Sequence, residues 1–122
     1  MKLYISESIQ YEGHFKDIAQ AEAECRLMVF HLKEEWWNMI NEGRKKKEYR
    51  DEKWSNYLRR FIIKLANGNK VYIELDKGYP AKMDFRRKMF FEVNKINFEM
   101  SLKEFGGDGE NKWAIHLGEK IL

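Results

Sequence analysis

The chemistry this chain can offer is concentrated in its cations. Arg44, Lys45, Lys46, Lys47 and Arg50 fall within seven residues. Such a density can grip a phosphate backbone or an acidic protein surface. The same charges also suit the C-terminal end of a helix, where the helix dipole favours them. A second set, Arg60, Lys64, Arg86, Lys88 and Lys103, falls on the same outward register as Tyr72 and Phe90 in the sheet expected below. Basic groups neutralise phosphate and exposed rings stack on bases, so this is the composition of a nucleotide or nucleic-acid platform. A solvated sheet face, with cross-strand pairs such as Arg60 with Asp76, is the plainer alternative. A protein interface, which favours aromatic residues and Arg, is a third.

Catalytic chemistry has less to draw on. His14, His31 and His116 are scattered and none sits in a known motif. His31 with Glu34 or Glu35 has the i, i+3 and i, i+4 spacing of a helical metal pair, and equally of an ordinary surface pair. Cys25 falls on the apolar stripe of the expected helix, which suits a small core residue better than a nucleophile. Residues 106–111 (Gly-Gly-Asp-Gly-Glu-Asn) are glycine-rich, but phosphate loops open a helix. A strand is expected to follow here, and Asp108 and Glu110 would repel phosphate. No catalytic residue, metal or cofactor is therefore expected.

These groups must be positioned by the elements that the apolar residues dictate. Residues 2–11 alternate as a first strand would. From residue 17 to about 42 the spacing of Ile18, Ala21, Cys25, Met28, Leu32, Trp36 and Ile40 predicts one long amphipathic helix, stopped at Gly43. Trp36 and Trp37 cannot both face its core, so one must pack elsewhere or mark a partner surface. Beyond Arg60 the register predicts strands. A loop at Asn67-Gly68-Asn69 would pair Leu65 with Val71, Ile63 with Ile73 and Phe61 with Leu75. A turn at Asn94-Lys95 would pair Val93 with Ile96, Phe91 with Phe98 and Met89 with Met100. A last hairpin turns through 106–111, with Trp113, Ile115 and Leu117 facing inward. Register follows burial.

The sum is an α+β domain over residues 1–122: an N-terminal strand and one long helix packed on a five- to six-stranded antiparallel sheet, in two layers. That order is similar to the topology of cystatin-like folds, a likeness of topology alone, which fixes no function.

Composition bounds the rest. A length of 122 residues fits one domain. Twenty-three basic against 20 acidic residues give a net charge of +3, too balanced for a strongly cationic nucleic-acid binder. One cysteine allows no internal disulfide. No apolar run approaches a membrane span, and a cytoplasmic location is expected. Lys outnumbers Arg sixteen to seven, as in AT-rich coding sources that include many bacteria and phages. Together these features favour a small non-enzymatic binding protein, of the accessory or inhibitor type found in phages and mobile elements. It would occlude a nucleic-acid-handling protein or sequester an anionic nucleotide ligand. A direct nucleic-acid binder, or a small hydrolase or metal enzyme using His31 or His116, are the alternatives. An outward Ile62 and Phe90 leave room for a homo-oligomer.

Overall fold

The computed structural model describes residues 8–121, with side chains from Lys16 onward. The elements run α1 (Ser8–Ala23), β1 (Leu27–Leu32), α2 (Glu34–Asn41), β2 (Lys47–Arg50), α3 (Ser55–Ala66), β3 (Tyr72–Lys77), β4 (Lys88–Met100) and β5 (Asn111–Lys120). Short 3-10 turns lie at Glu52–Trp54, Phe85–Arg87 and Lys103–Phe105. The strands form a five-stranded sheet in the order β1-β3-β4-β5-β2. β1 and β3 run parallel, and every other pairing is antiparallel.

The α+β class holds, but one long helix and a purely antiparallel sheet do not. Of the strand expected over 2–11, residues 2–7 lie outside the described residues and 8–11 are helical. The helix expected over 17–42 is three elements. α1 ends at Ala23, and Cys25, in the left-handed region at φ +56°, turns the chain into β1. Met28 and Leu32 satisfy helical spacing, yet Met28, Phe30 and Leu32 satisfy strand alternation equally well. A short apolar run cannot separate the two by period alone. Pairing with β3 decides it: Met28 lies beside Ile73 and Phe30 beside Leu75, all four essentially buried. Cys25 is accordingly exposed, not a core thiol. Gly43, at φ +78°, does lie just past the end of α2.

The reverse ambiguity misplaces residues 60–65. Phe61, Ile63 and Leu65 alternate like a strand, but Leu58, Phe61 and Leu65 also form a helical stripe. In α3, Leu58 and Phe61 are buried while Ile63 is 52% exposed. Residues 67–69 therefore join a helix to β3 rather than two strands. The turn expected at Asn94-Lys95 is also absent: β4 runs on, with register irregularities against β5 between Phe91 and Lys95. Gly118 supplies the room, since a Cβ there would collide with the Asn94 side chain. A local bulge thus absorbs the turn signal. Val93 pairs with Leu117, Ile96 with Ile115 and Phe98 with Trp113. The last hairpin forms where expected, its tip spanning 101–110.

Nor is the domain two-layered. One sheet face, carrying Met28, Phe30, Ile73, Leu75, Met89, Phe91 and Ile115, is covered by Trp37 and Ile40 of α2 and Leu58 and Phe61 of α3. The other face carries Leu27, Tyr72 and Phe90, over which Ile18 and Ala21 of α1 pack. Helices therefore lie on both faces, and the cystatin-like order does not apply. Trp37 is the inward member of the tryptophan pair, and its Nε1–H donates to the Leu75 carbonyl at 2.8 Å. Trp36 packs beneath the hairpin loop: a Cβ at Gly106 would lie 3.3 Å from its ring.

That loop is tied down by Ser101, 1% exposed. Its hydroxyl donates to the Glu110 carbonyl at 2.8 Å and accepts from the Asp108 N–H at 3.1 Å. A Cβ at Gly107 would fall on this side chain and on the Ser101 carbonyl carbon. Gly107→Ala is expected to cost about 1–3 kcal/mol of stability, as overpacking does, read by chemical denaturation; an unchanged midpoint would show that the loop yields freely.

Candidate functional site

The sheet curls. β1 and β2 lie at opposite ends of the strand order, yet the Arg50 guanidinium of β2 sits 4.2 Å from the ring centroid of Phe30 on β1. Its other neighbour is the Trp54 ring at 5.2 Å. Phe30 and Trp54 meet edge to face at 5.1 Å, so the cation rests on a built aromatic floor. Across the seam, Arg50 Nη2 lies 3.5 Å from the His31 carbonyl, at the outer limit of a hydrogen bond.

Three charges occupy this seam. Glu48 Oε2 accepts from Arg50 Nη2 at 2.7 Å, and Glu48 Oε1 accepts from Lys45 Nζ at 3.1 Å. The side chains of Lys45, Glu48 and Arg50 are 3%, 7% and 19% exposed. Lys45 Nζ also lies over Trp36 at 5.1 Å and Tyr49 at 6.0 Å. Two buried cations thus share one carboxylate, and among the described residues no second carboxylate reaches either. Arg50 Nε is buried with no acceptor among the described residues. A cleft of about 180 Å³ opens here, lined by Lys33, Trp36, Lys45, Glu48, Tyr49 and Arg50 among others. A net buried positive charge with a spare donor is costly unless an anion compensates it.

The rest of the expected site does not assemble. Arg44 pairs with Glu42 at 2.6 Å. Lys47 donates to Glu99 at 2.7 Å, and Glu99 also lies 3.0 Å from His116 Nε2. The Lys47 contact, aided by His116, holds the Glu99 carboxyl below its usual range. Lys46 is exposed. Arg60 and Lys64 lie on α3, not on a sheet; Lys64 Nζ donates to the Glu24 carbonyl at 2.6 Å, tying α3 to the end of α1. Arg86 and Lys103 sit in 3-10 turns, Arg86 3.7 Å from Asp84. Tyr72 and Phe90 are 6% and 3% exposed beneath α1 and cannot stack on a base. The basic, aromatic outer face therefore does not exist as a surface. His31 lies on β1, not on a helix with Glu34 and Glu35, and the described residues hold no cluster of three metal-ligating side chains.

A second charged cluster lies on β3 and β4. Glu74 and Asp76 project from the same face of β3. Lys88 of β4 lies 3.5 Å from Glu74, and His31 Nδ1 lies 3.6 Å from Asp76. His31 Nδ1 is also 2.9 Å from the Gly78 carbonyl, which can only accept, so this nitrogen carries the proton in that bond. The Tyr79 ring stacks on His31 at 4.3 Å. Burial, then a hydrogen bond to Asp76 and its charge, push the Glu74 carboxyl up to about 7 against the opposing pull of Lys88.

No protein-family model, curated protein or solved structure matches the chain. Glu48 could have been found from the sequence as the single acid in Lys45-x-x-Glu48-x-Arg50. Glu74-x-Asp76 was visible as two acids on one strand face.

Glu48→Gln leaves two buried cations without their shared anion and is expected to cost about 3–5 kcal/mol. Lys45→Met restores a one-to-one pair and is expected to change stability by about 1 kcal/mol or less. Equal losses in denaturant titrations would refute the shared-carboxylate geometry. For Glu74, the folded carboxyl near 7 lies above its ordinary value of 4.5. The folded state thus binds more protons in between, and Glu74's contribution to stability falls as pH rises from about 4.5 to about 7. Glu74→Gln should flatten that slope in melts taken from pH 5 to pH 8; an unaltered slope would assign it to other groups.

Proposed function

We propose that this is a non-enzymatic binding protein that sequesters a small anionic ligand at the seam between β1 and β2. One observation carries the reading: Lys45 and Arg50, both largely buried, share the single carboxylate of Glu48 beside a cleft of about 180 Å³. A phosphate or carboxylate entering the cleft would supply the missing negative charge. Charge-assisted hydrogen bonds to Lys45 Nζ and Arg50 Nε would hold it. Trp36 and Tyr49, which line the same cleft, offer apolar surface to whatever body carries the anion.

Of the ligands expected from the sequence, an anionic nucleotide fits this chemistry through its phosphate. A duplex or single strand fits less well, since Arg44, Lys47 and Lys88 are already paired with acids and Tyr72 and Phe90 are covered.

Calorimetric titration with inorganic phosphate, adenosine monophosphate and citrate at low salt tests the reading. The native chain is expected to bind at least one of them. Lys45→Met should weaken that binding about tenfold or more, the worth of one charge-assisted hydrogen bond. Absence of binding at millimolar ligand, or equal affinity in Lys45→Met, would overturn the proposal.

A further inference from the structure

A second cleft lies on the opposite sheet face, between α1 and the connector of residues 78–87. Its volume is also about 180 Å³. Ile18, Leu27, Phe85 and Phe90 form its apolar walls, and Glu74 and Lys88 lie in its lining. Both polar side chains are largely buried, at 13% and 9% exposed.

The charges invert those of the seam. Among the described residues, two buried carboxyls, Glu74 in the lining and Asp76 next but one on the same strand face, stand near one buried ammonium, Lys88, which lies 3.5 Å from Glu74. That ammonium also donates to the Lys82 carbonyl at 3.0 Å, so Glu74 does not have it alone. Asp76 is 5% exposed, and its Oδ1 has no hydrogen-bond partner among the described residues. Among the described residues, the other charged or titratable groups around the pair are His31 from β1, beside Asp76, with Glu22 from α1 and Lys82 from the connector in the cleft lining. In this setting a proton on Glu74 fills the place of a missing cation.

We propose that this cleft binds a primary or secondary ammonium carried on a compact apolar or aromatic body. The ammonium N–H groups would donate to the Glu74 carboxylate, displacing the proton. The body would lie against Leu27, Phe85 and Phe90. At about 180 Å³ the cleft is smaller than the roughly 300 Å³ at which drug-sized pockets begin, which restricts the body to about a single ring. The site is separate from the anion seam, and its failure would leave that reading untouched.

Benzylamine is the probe, with benzyl alcohol and benzoate as neutral and anionic counterparts of the same shape. Calorimetric titration of the full chain is expected to show benzylamine binding about tenfold tighter at pH 8 than at pH 6. That is the penalty of a competent state populated at about a tenth. At pH 6, buffers of different ionisation heat should register about one proton released per amine bound. Glu74→Gln should abolish both the binding and its pH dependence, while Lys45→Met should leave both intact. If Glu74→Gln does not fold, Lys88→Met serves instead: removing the competing cation should tighten benzylamine binding. Failure of benzylamine to bind at millimolar concentration would overturn the proposal. So would equal or tighter binding of benzoate, retained affinity in Glu74→Gln, or weaker binding in Lys88→Met.

Discussion

The placement of Arg50 is the constraint on which the rest depends. A five-stranded sheet has two edges, and here the outer strands are β1 and β2. A guanidinium from one edge can rest 4.2 Å from an aromatic ring on the other only if the sheet curls on itself. Curling brings Lys45, Glu48 and Trp36 into the seam and leaves a cleft where closure is incomplete. It also limits what can cover each face. α2 and α3 fill the face that carries Met28, Phe30 and Ile115, while Ile18 and Ala21 of α1 pack over Leu27, Tyr72 and Phe90 on the other. His31, Glu74, Asp76 and Lys88 gather on that second face, largely buried except for His31.

Both clefts carry the same kind of imbalance. A buried charge must be paired, and among the described residues each cluster is unbalanced: two cations on one carboxylate at the seam, and across the sheet two carboxyls facing one ammonium and the His31 ring. An isolated salt bridge at either place would read as structure. The odd charge suggests a ligand, because a folded chain that buries it unpaired gives up stability that a hydrophobic substitute would have kept. At the second cleft a proton can make up the deficit. At the first the deficit is of negative charge, which an anion supplies.

What the sequence made legible follows from which signals were unambiguous. Ile73, Leu75, Met89, Phe91 and Val93 are inward and buried as their alternation implied, and the 101–110 hairpin turns where its glycines allow. Two short segments are ambiguous because each satisfies both periods. Leu27–Leu32 has helical spacing yet is a strand, and Phe61–Leu65 alternates yet is helical. Pairing between β1 and β3, separated by some forty residues of chain, settles the first; no local pattern contains it. The site suffered from the same limit. The Arg44–Arg50 run was visible as charge, but only the curl of the sheet distinguishes Lys45, which is buried, from Lys46, which faces solvent.

The most direct measurement is the chemical shift of the Arg50 Nε–H during a titration with inorganic phosphate, followed by nitrogen–proton NMR. This donor has no acceptor among the described residues, and the seam account assigns it to the incoming anion. A saturable downfield shift at Arg50, with the exposed Arg86 unchanged, is the expected result. A flat response at Arg50, or equal small shifts at every arginine, would contradict the account.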